Sequence, residues 1–371
     1  MSQPPEHRAA GGAFAPAQAI VVSLALFAAC VVGSGCGILR GEGCSPSKIE
    51  GRHKVNIART NYHGWTNCIV MRSGGTEAVI VPAIGRILQF GFAGEEGMFW
   101  ENRALDSQIH PPRATTWMNF GGDKSWPAPE AEWPKPQGGW LPPAAFDSTS
   151  VEAKIERDQV ILTSPVDAEY GIRVVRRIYF GRAAGQMTVS TRYEKVSGEP
   201  KTVAIWTITQ LREPVGVFSR VPLPDAATNE FSRVHPGFEN GYRLLSKSAP
   251  PDLKVLRDAA GAHGTLSLTR NPGASYKIGL AAASLLWVGE RTLLKIDLQQ
   301  AGHGEFPDGG SSAEIYTNPD PLRYVELELL GHLSTLKAGS VIESANTYTP
   351  FRRSHPSPEQ EAWTLYGRQG L

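Results

Sequence analysis

The chain has 371 residues, enough for one large domain or two ordinary ones, and 41% of them are hydrophobic. Lys and Arg number 37 against 36 Asp and Glu, a net charge of +1. With no basic stripe and no acidic bias, the balance argues against a nucleic-acid partner.

Taken in order, the N-terminus reads as an export segment. His7 and Arg8 precede an apolar run over about 19–32. That run is shorter than the roughly 20 apolar residues a membrane helix needs and fits a secretory h-region. It leads into Gly33-Ser34-Gly35-Cys36, which resembles a bacterial lipobox with Cys36 as the lipidated residue, although Gly33 stands where leucine is usual. Cys30 is the weaker candidate. Gly37 follows Cys36, with no aspartate there to favour inner-membrane retention. The expected location is the outer membrane, facing the periplasm. Residues 1–36 are thus the signal segment, and 37–57, rich in Gly, Ser and charge, a flexible tether. The remaining cysteines, Cys44 and Cys68, could pair in an oxidising compartment. They do not make a zinc site, and no metal or cofactor is expected.

From about 58 to 354 the pattern is β. Short apolar or alternating runs recur between Gly, Pro, Asn and Asp: 78–82, 87–92, 151–155, 160–163, 172–180, 187–193 and 203–211. They continue at 276–280, 285–288, 293–298, 312–317, 324–330 and 341–348. No stretch between them keeps a 3.6-residue period. The expectation is an all-β fold, a large antiparallel sandwich, with residues 222–251 as an insertion across one end. Residues 355–371 form a helical tail, started by Ser357-Pro358-Glu359-Gln360 and stopped by Gly367.

The stretch 117–140 stands apart. It holds Trp117, Trp126, Trp133 and Trp140 among prolines and glycines. Proline removes a ladder donor, so the stretch reads as a long loop rather than a central strand. Such loops are often functional. Indoles can cover the apolar face of a pyranose and still donate an N–H, so a carbohydrate ligand is the expectation; a cap on the core is the competing reading. Asp123 and Lys124 within it should hold each other or a ligand.

Three further runs could carry chemistry. In 312–317, Ser312, Glu314 and Tyr316 share a face, which makes Glu314 a candidate general base. In 324–330, Glu326 and Glu328 share a face opposite Val325, Leu327 and Leu329; this alternation reads as the hydrophilic outside of a sheet. In 203–211, Trp206, Ile208 and Gln210 share a face. His303, in a glycine-flanked turn, is a candidate acid or base.

These residues resemble a family. The run Val79 to Phe90 with its Gly85-Arg86-Ile87 step, followed by Met98-Phe99-Trp100-Glu101-Asn102, looks like the opening strands of the galactose mutarotase-like superfamily. Asn119-Phe-Gly-Gly-Asp123-Lys124-Ser-Trp126-Pro127 is similar to a bacterial lipoprotein family within it. Glu314 before Asn318-Pro319-Asp320, and Leu336-Lys-Ala-Gly339 after it, are similar to aldose 1-epimerases. The resemblance covers about residues 60–350. It implies a β-supersandwich with a sugar cleft on its concave sheet and Glu314 as base. Together with the Trp-rich stretch, this makes Arg86, Trp117, Asn119, Asp123, Lys124, Trp126 and Gln210 the expected sugar-binding residues around one cleft. In those epimerases a histidine acid lies on the strand similar to 205–211. Gln210 stands in its place here, and a glutamine carries no proton at neutral pH. The reading is therefore a carbohydrate-binding envelope lipoprotein, with an active aldose epimerase-like isomerase using Glu314 as base and His303 or a carboxylate as acid as one alternative and a structural envelope protein as the other.

Overall fold

The computed structural model describes residues 54–111, 116–133, 141–181, 183–224, 233–258, 262–299 and 304–367. Cys30, Cys36, Cys44, Trp140 and His303 lie outside the described residues, and nothing structural is assigned to them.

Two antiparallel sheets form the domain. The first runs, in spatial order, Asn56–Tyr62, Trp65–Ser73, Thr76–Val81, Arg86–Phe92, Asp123–Ala128, Lys201–Arg212, Tyr324–Leu330, Ala313–Thr317, Tyr276–Leu280 and Tyr242–Leu244. Ser334–Leu336 pairs the start of the Lys201–Arg212 strand. The second sheet runs Lys254–Arg257, His263–Leu268, Gly216–Pro222, Ser284–Val288, Thr292–Gln299, Val341–Arg352, Met187–Lys195, Ile172–Phe180, Gln159–Val166 and Glu152–Glu156. Side chains alternate across a strand, so each sheet offers one face to the space between them. Ile80, Ile87, Phe90, Leu211, Ile315, Val325 and Leu327 of the first sheet meet Leu162, Ile178, Val189, Leu285, Leu294 and Tyr348 of the second. The alternating pattern of the sequence is thereby borne out as an antiparallel sandwich.

The terminal helix, Pro358–Gly367, also forms where expected, with Ser357 Oγ accepting from the Gln360 N–H at 3.2 Å. Ala362 and Tyr366 bury against Phe218, Leu286 and Leu293, so the tail is packed onto the sandwich. Cys68 is a free, buried thiol in the Trp65–Ser73 strand.

The stretch 117–140 is not one long loop. Asp123–Ala128 is a strand between Arg86–Phe92 and Lys201–Arg212, although it contains Pro127. Pro127 is opposite Ile205, and its carbonyl accepts from Trp133 Nε1 at 2.7 Å, off the ladder. A residue's N and O point to the same side of a strand, so the missing N–H of Pro127 faces away from its partner. On that other side, Arg86–Phe92 pairs only through Ile87 opposite Asp123. The proline thus sits where no ladder donor is required.

Candidate active site

Five consecutive strands of the first sheet build the site on the face turned away from the inter-sheet core. Register sets Lys124 beside Ile208, Ile208 beside Glu328 and Glu328 beside Glu314; Gln210 lies beside Glu326 and Glu326 beside Tyr316. Lys277 is opposite Tyr316 on the next strand. Lys124, Trp126, Trp206, Gln210, Glu326, Glu328, Glu314, Tyr316 and Lys277 therefore share one face.

Glu314 and Glu328 are each 0% exposed. Lys277 Nζ lies 2.7 Å from Glu314 Oε2 and 3.1 Å from Glu328 Oε2. Trp206 donates its Nε1–H to the same Glu328 oxygen at 2.7 Å, and Lys277 Nζ sits 4.4 Å from the centre of the Trp206 ring. One ammonium therefore serves two buried carboxyls. Burial pushes the Glu328 carboxyl well above the usual carboxylate range; Lys277 pulls it back, while Glu314 and Glu326 push it further up. Glu314 is raised too, by burial first, with Lys277 opposing and the Asp308 charge adding. Burial alone would lower the Lys277 ammonium, but the two glutamates outweigh it and hold it up. Glu314 Oε1 and Glu328 Oε1 have no hydrogen-bond donor of well-formed geometry. This is a pair of carboxyls whose environment favours keeping a proton, aimed at one spot.

The same shifts make a pH prediction. A carboxyl raised on folding binds protons more tightly in the folded state than in the unfolded chain. Its contribution is fully present below the unfolded value of about 4.3 and is lost as pH rises through the folded value. Urea midpoints of Glu328→Gln measured between pH 5 and 8 should fall less with pH than those of the native chain. Parallel curves would rule out a raised Glu328.

At one end of the face, Lys124 Nζ is 3.4 Å from Glu326 Oε1, and Gln210 Nε2 donates to that oxygen at 2.8 Å. Burial lowers the Lys124 ammonium, with Glu326 opposing. Asn119 Nδ2 donates to Tyr324 OH at 3.2 Å, and the Trp100 ring lies 4.5 Å from that of Tyr324. Trp100 and Tyr316 are half-buried. At the other end, Asp147 accepts from Arg86 at 2.7 Å, Trp126 Nε1 at 2.9 Å and Trp117 Nε1 at 3.1 Å. Arg86 and Lys124 hold its carboxyl low against the effect of burial.

Of the candidates read from the sequence, the structure brings Trp117, Asn119, Lys124, Trp126, Gln210 and Glu314 to this region, with Arg86 at its Asp147 end, and sends Asp123 away from it. Asp123 and Lys124 do not hold each other. Adjacent strand residues point to opposite faces, so Asp123 enters the space between the sheets. There it pairs with Arg176 and accepts from Tyr348 OH at 2.5 Å and Thr209 Oγ1 at 2.8 Å. Asp123 is thus a core ion, not a sugar ligand. Arg86 is buried and held by Asp147. Trp126 is 4% exposed, with the Trp117, Trp133 and Trp206 ring centres 5.2–5.6 Å away. Its ring packs among indoles and is no open platform. His303 lies outside the described residues.

Glu326 and Glu328 correct the sequence reading: they are 8% and 0% exposed, not a solvated outer face. Alternation shows only that two faces differ, and here the Trp117 and Trp133 rings pack against Trp126 and Trp206 on the second face, with Asp308 in electrostatic contact with Lys277 and Glu328. Lys277 was missed altogether. Its one signal is a small alternation, Lys277 and Gly279 against Ile278 and Leu280, too short to stand out. Asp308, raised by burial and in electrostatic contact with Lys277 and Glu328, has no signal beyond a Pro-Asp-Gly-Gly turn.

No protein-family model matches the chain, and no curated protein sequence matches it. Several solved structures are similar to the chain. A galactose mutarotase-like protein from Clostridium acetobutylicum is 10% identical and has a TM-score of 0.47, over 81% of this chain and 99% of that one. Another from Lactobacillus casei is 12% identical with a TM-score of 0.45, over 76% and 100%. A galactose mutarotase related enzyme from Lactobacillus acidophilus is 10% identical with a TM-score of 0.46, over 77% and 97%.

Proposed function

We propose that the chain takes a carbohydrate on this face and that Glu314 and Glu328 move a proton on it, as an aldose epimerase-like isomerase would. The observation that supports this reading is the pair of buried carboxyls facing each other across two strands with Lys277 between them. Anomer exchange needs a base for the anomeric hydroxyl and an acid for the ring oxygen. The base takes the O1 proton, C1=O1 forms, the C1–O5 bond breaks and O5 receives a proton; closure on the other face of C1 reverses each transfer. Burial raises both carboxyls, so the pair retains a proton; one member gives it to O5 while the other accepts from O1. Lys277 keeps the pair together whichever carboxyl is charged. Gln210 and Lys124 then serve as hydrogen-bond partners for sugar hydroxyls through their Glu326 contact. Trp100 and Tyr316, both half-buried, supply aromatic surface on the solvent side, with Tyr324 buried behind them.

The full exclusion of Glu314 and Glu328 from solvent favours a second reading, binding without turnover. Anomer-exchange NMR on a set of free aldoses, paired with calorimetric binding, separates the two. Exchange above background supports the isomerase; affinity with background exchange leaves a carbohydrate-binding protein; neither leaves a structural one.

The N-terminal segment completes the proposal. With Cys36 lipidated, the domain would be tethered to the outer membrane, facing the periplasm. One acyl chain gives marginal membrane binding, whereas several anchor stably. Cys36→Ser should shift the protein from the membrane to the soluble fraction in cell fractionation. Unchanged membrane association would point to an uncleaved helix instead.

A further inference from the structure

A cavity of about 970 Å³ adjoins the carboxyl pair on the far side of the Ala313–Thr317 strand's start. Ser312, which shares a face with Glu314, lies in its wall. So do Gly309 and Gly310, which follow Asp308 in the turn that reaches toward Lys277 and Glu314. Its chemical character comes from Arg233, His235, Arg243 and His332 with Phe238 and Phe306. Among the described residues lining it, Glu305 is the one carboxylate.

Two of these groups are built into place. Arg243 is opposite Gly279 in the sheet; a Cβ on Gly279 would strike Ser311 Oγ at 2.1 Å and crowd Arg243 Cγ at 3.3 Å. Its guanidinium donates to Gly309 O at 2.5 Å and stacks over Phe238 at 5.6 Å. Gly309 has φ of 70°, and a Cβ there would strike Arg243 Nη1 at 1.7 Å, so this contact requires glycine. Arg243 forms no ion pair among the described residues, and its Nε has no hydrogen-bond partner. His332 stacks on Phe306 with ring centres 4.2 Å apart, and its buried Nδ1 likewise has no partner. A cation stacked on one aromatic ring, an imidazole on another and apolar walls from Ala281, Ala282 and Leu298 make a pocket that is apolar on its faces and anion-seeking at fixed points.

We propose that this cavity is a subsite for a saccharide unit carrying an anionic group, a uronate carboxylate or a sulfate ester, with the ring over Phe306 and Phe238 and the anion on Arg243 and His332. This deepens the carbohydrate reading and rests on it. The cavity has room for more than one monosaccharide, so the ligand proposed is a disaccharide whose second unit lies on the Ser312 side, toward the strand that carries Glu314. Arg243 lies outside the proton-moving pair, so it sets which sugar binds rather than the chemistry.

The test is calorimetry of the full chain against three disaccharides: one with a uronate, one O-sulfated, one neutral. The anionic ligands should bind about tenfold tighter or more than the neutral one. Added salt should narrow the difference. Arg243→Gln should abolish the preference and leave neutral-disaccharide affinity within about twofold. Arg243→Lys, which keeps the charge and loses the planar fork, should retain part of it. If Arg243→Gln does not fold, His332→Gln carries the same comparison. Equal affinity for neutral and anionic ligands overturns the anionic subsite while the sugar reading stands. Binding of none overturns both.

Discussion

Glu328→Gln should lower anomer exchange by about a hundredfold to ten-thousandfold, the span general acid–base groups supply. Glutamine keeps the shape of glutamate, and its amide oxygen can still accept from Trp206 Nε1, now 2.7 Å from the glutamate oxygen. What it loses is the transferable proton. Ligand affinity should stay within a few fold, because the aromatic surface and the Gln210–Glu326–Lys124 contacts remain. Folding stability should change little, because the substitution removes a carboxyl that burial already disfavours as an ion. Glu314→Gln should give a comparable loss, and the double variant little more than either alone, since the two carboxyls act as one unit. The decisive measurement is exchange rate against binding in the same samples. A Glu328→Gln protein that exchanges anomers at the native rate would remove this residue from the mechanism; one that loses binding and turnover together would make it a structural group.

Asp123→Asn is expected to be the most destabilising conservative change in the sandwich. Asp123 and Arg176 are an ion pair between the sheets, at 0% and 4% exposure. The carboxylate also accepts from Tyr348 OH and Thr209 Oγ1. Replacing it leaves the Arg176 charge without its counter-ion in a low-dielectric core, a change that costs about 3–5 kcal/mol. A double variant, Asp123→Asn with Arg176→Met, should cost less than the single changes added together, because it removes the orphaned charge. Urea unfolding of the four proteins reads this coupling directly. A loss below about 1 kcal/mol for Asp123→Asn would mean that water or a rearranged side chain satisfies Arg176.

These two positions mark where local sequence stops being informative. Period-two alternation is a property of the strand itself, so 172–180, 276–280 and 324–330 could be bounded without any tertiary knowledge, and the capped helix at Ser357 likewise. The same alternation placed Glu314 with Ser312 and Tyr316 and set Val325, Leu327 and Leu329 toward the core. It could not say that the opposite face of that strand is buried as well, because burial there comes from segments distant in sequence. Pro127 argued locally against a strand; only pairing with Lys201–Arg212 on one edge, and the near absence of pairing on the other, removed the need for its N–H. Asp123 and Lys124 are neighbours in sequence and part company because the pleat sends one to each face. Their partners, Arg176 and Glu326, lie 53 and 202 residues away. Lys277 meets Glu314 and Glu328 only because three strands from different parts of the chain are aligned by register. The sequence by itself determined many of the strands, the terminal helix and which residues could carry charge. Tertiary structure decided which charges are buried together, since desolvation and Coulomb attraction depend on distance in space and not on position along the chain.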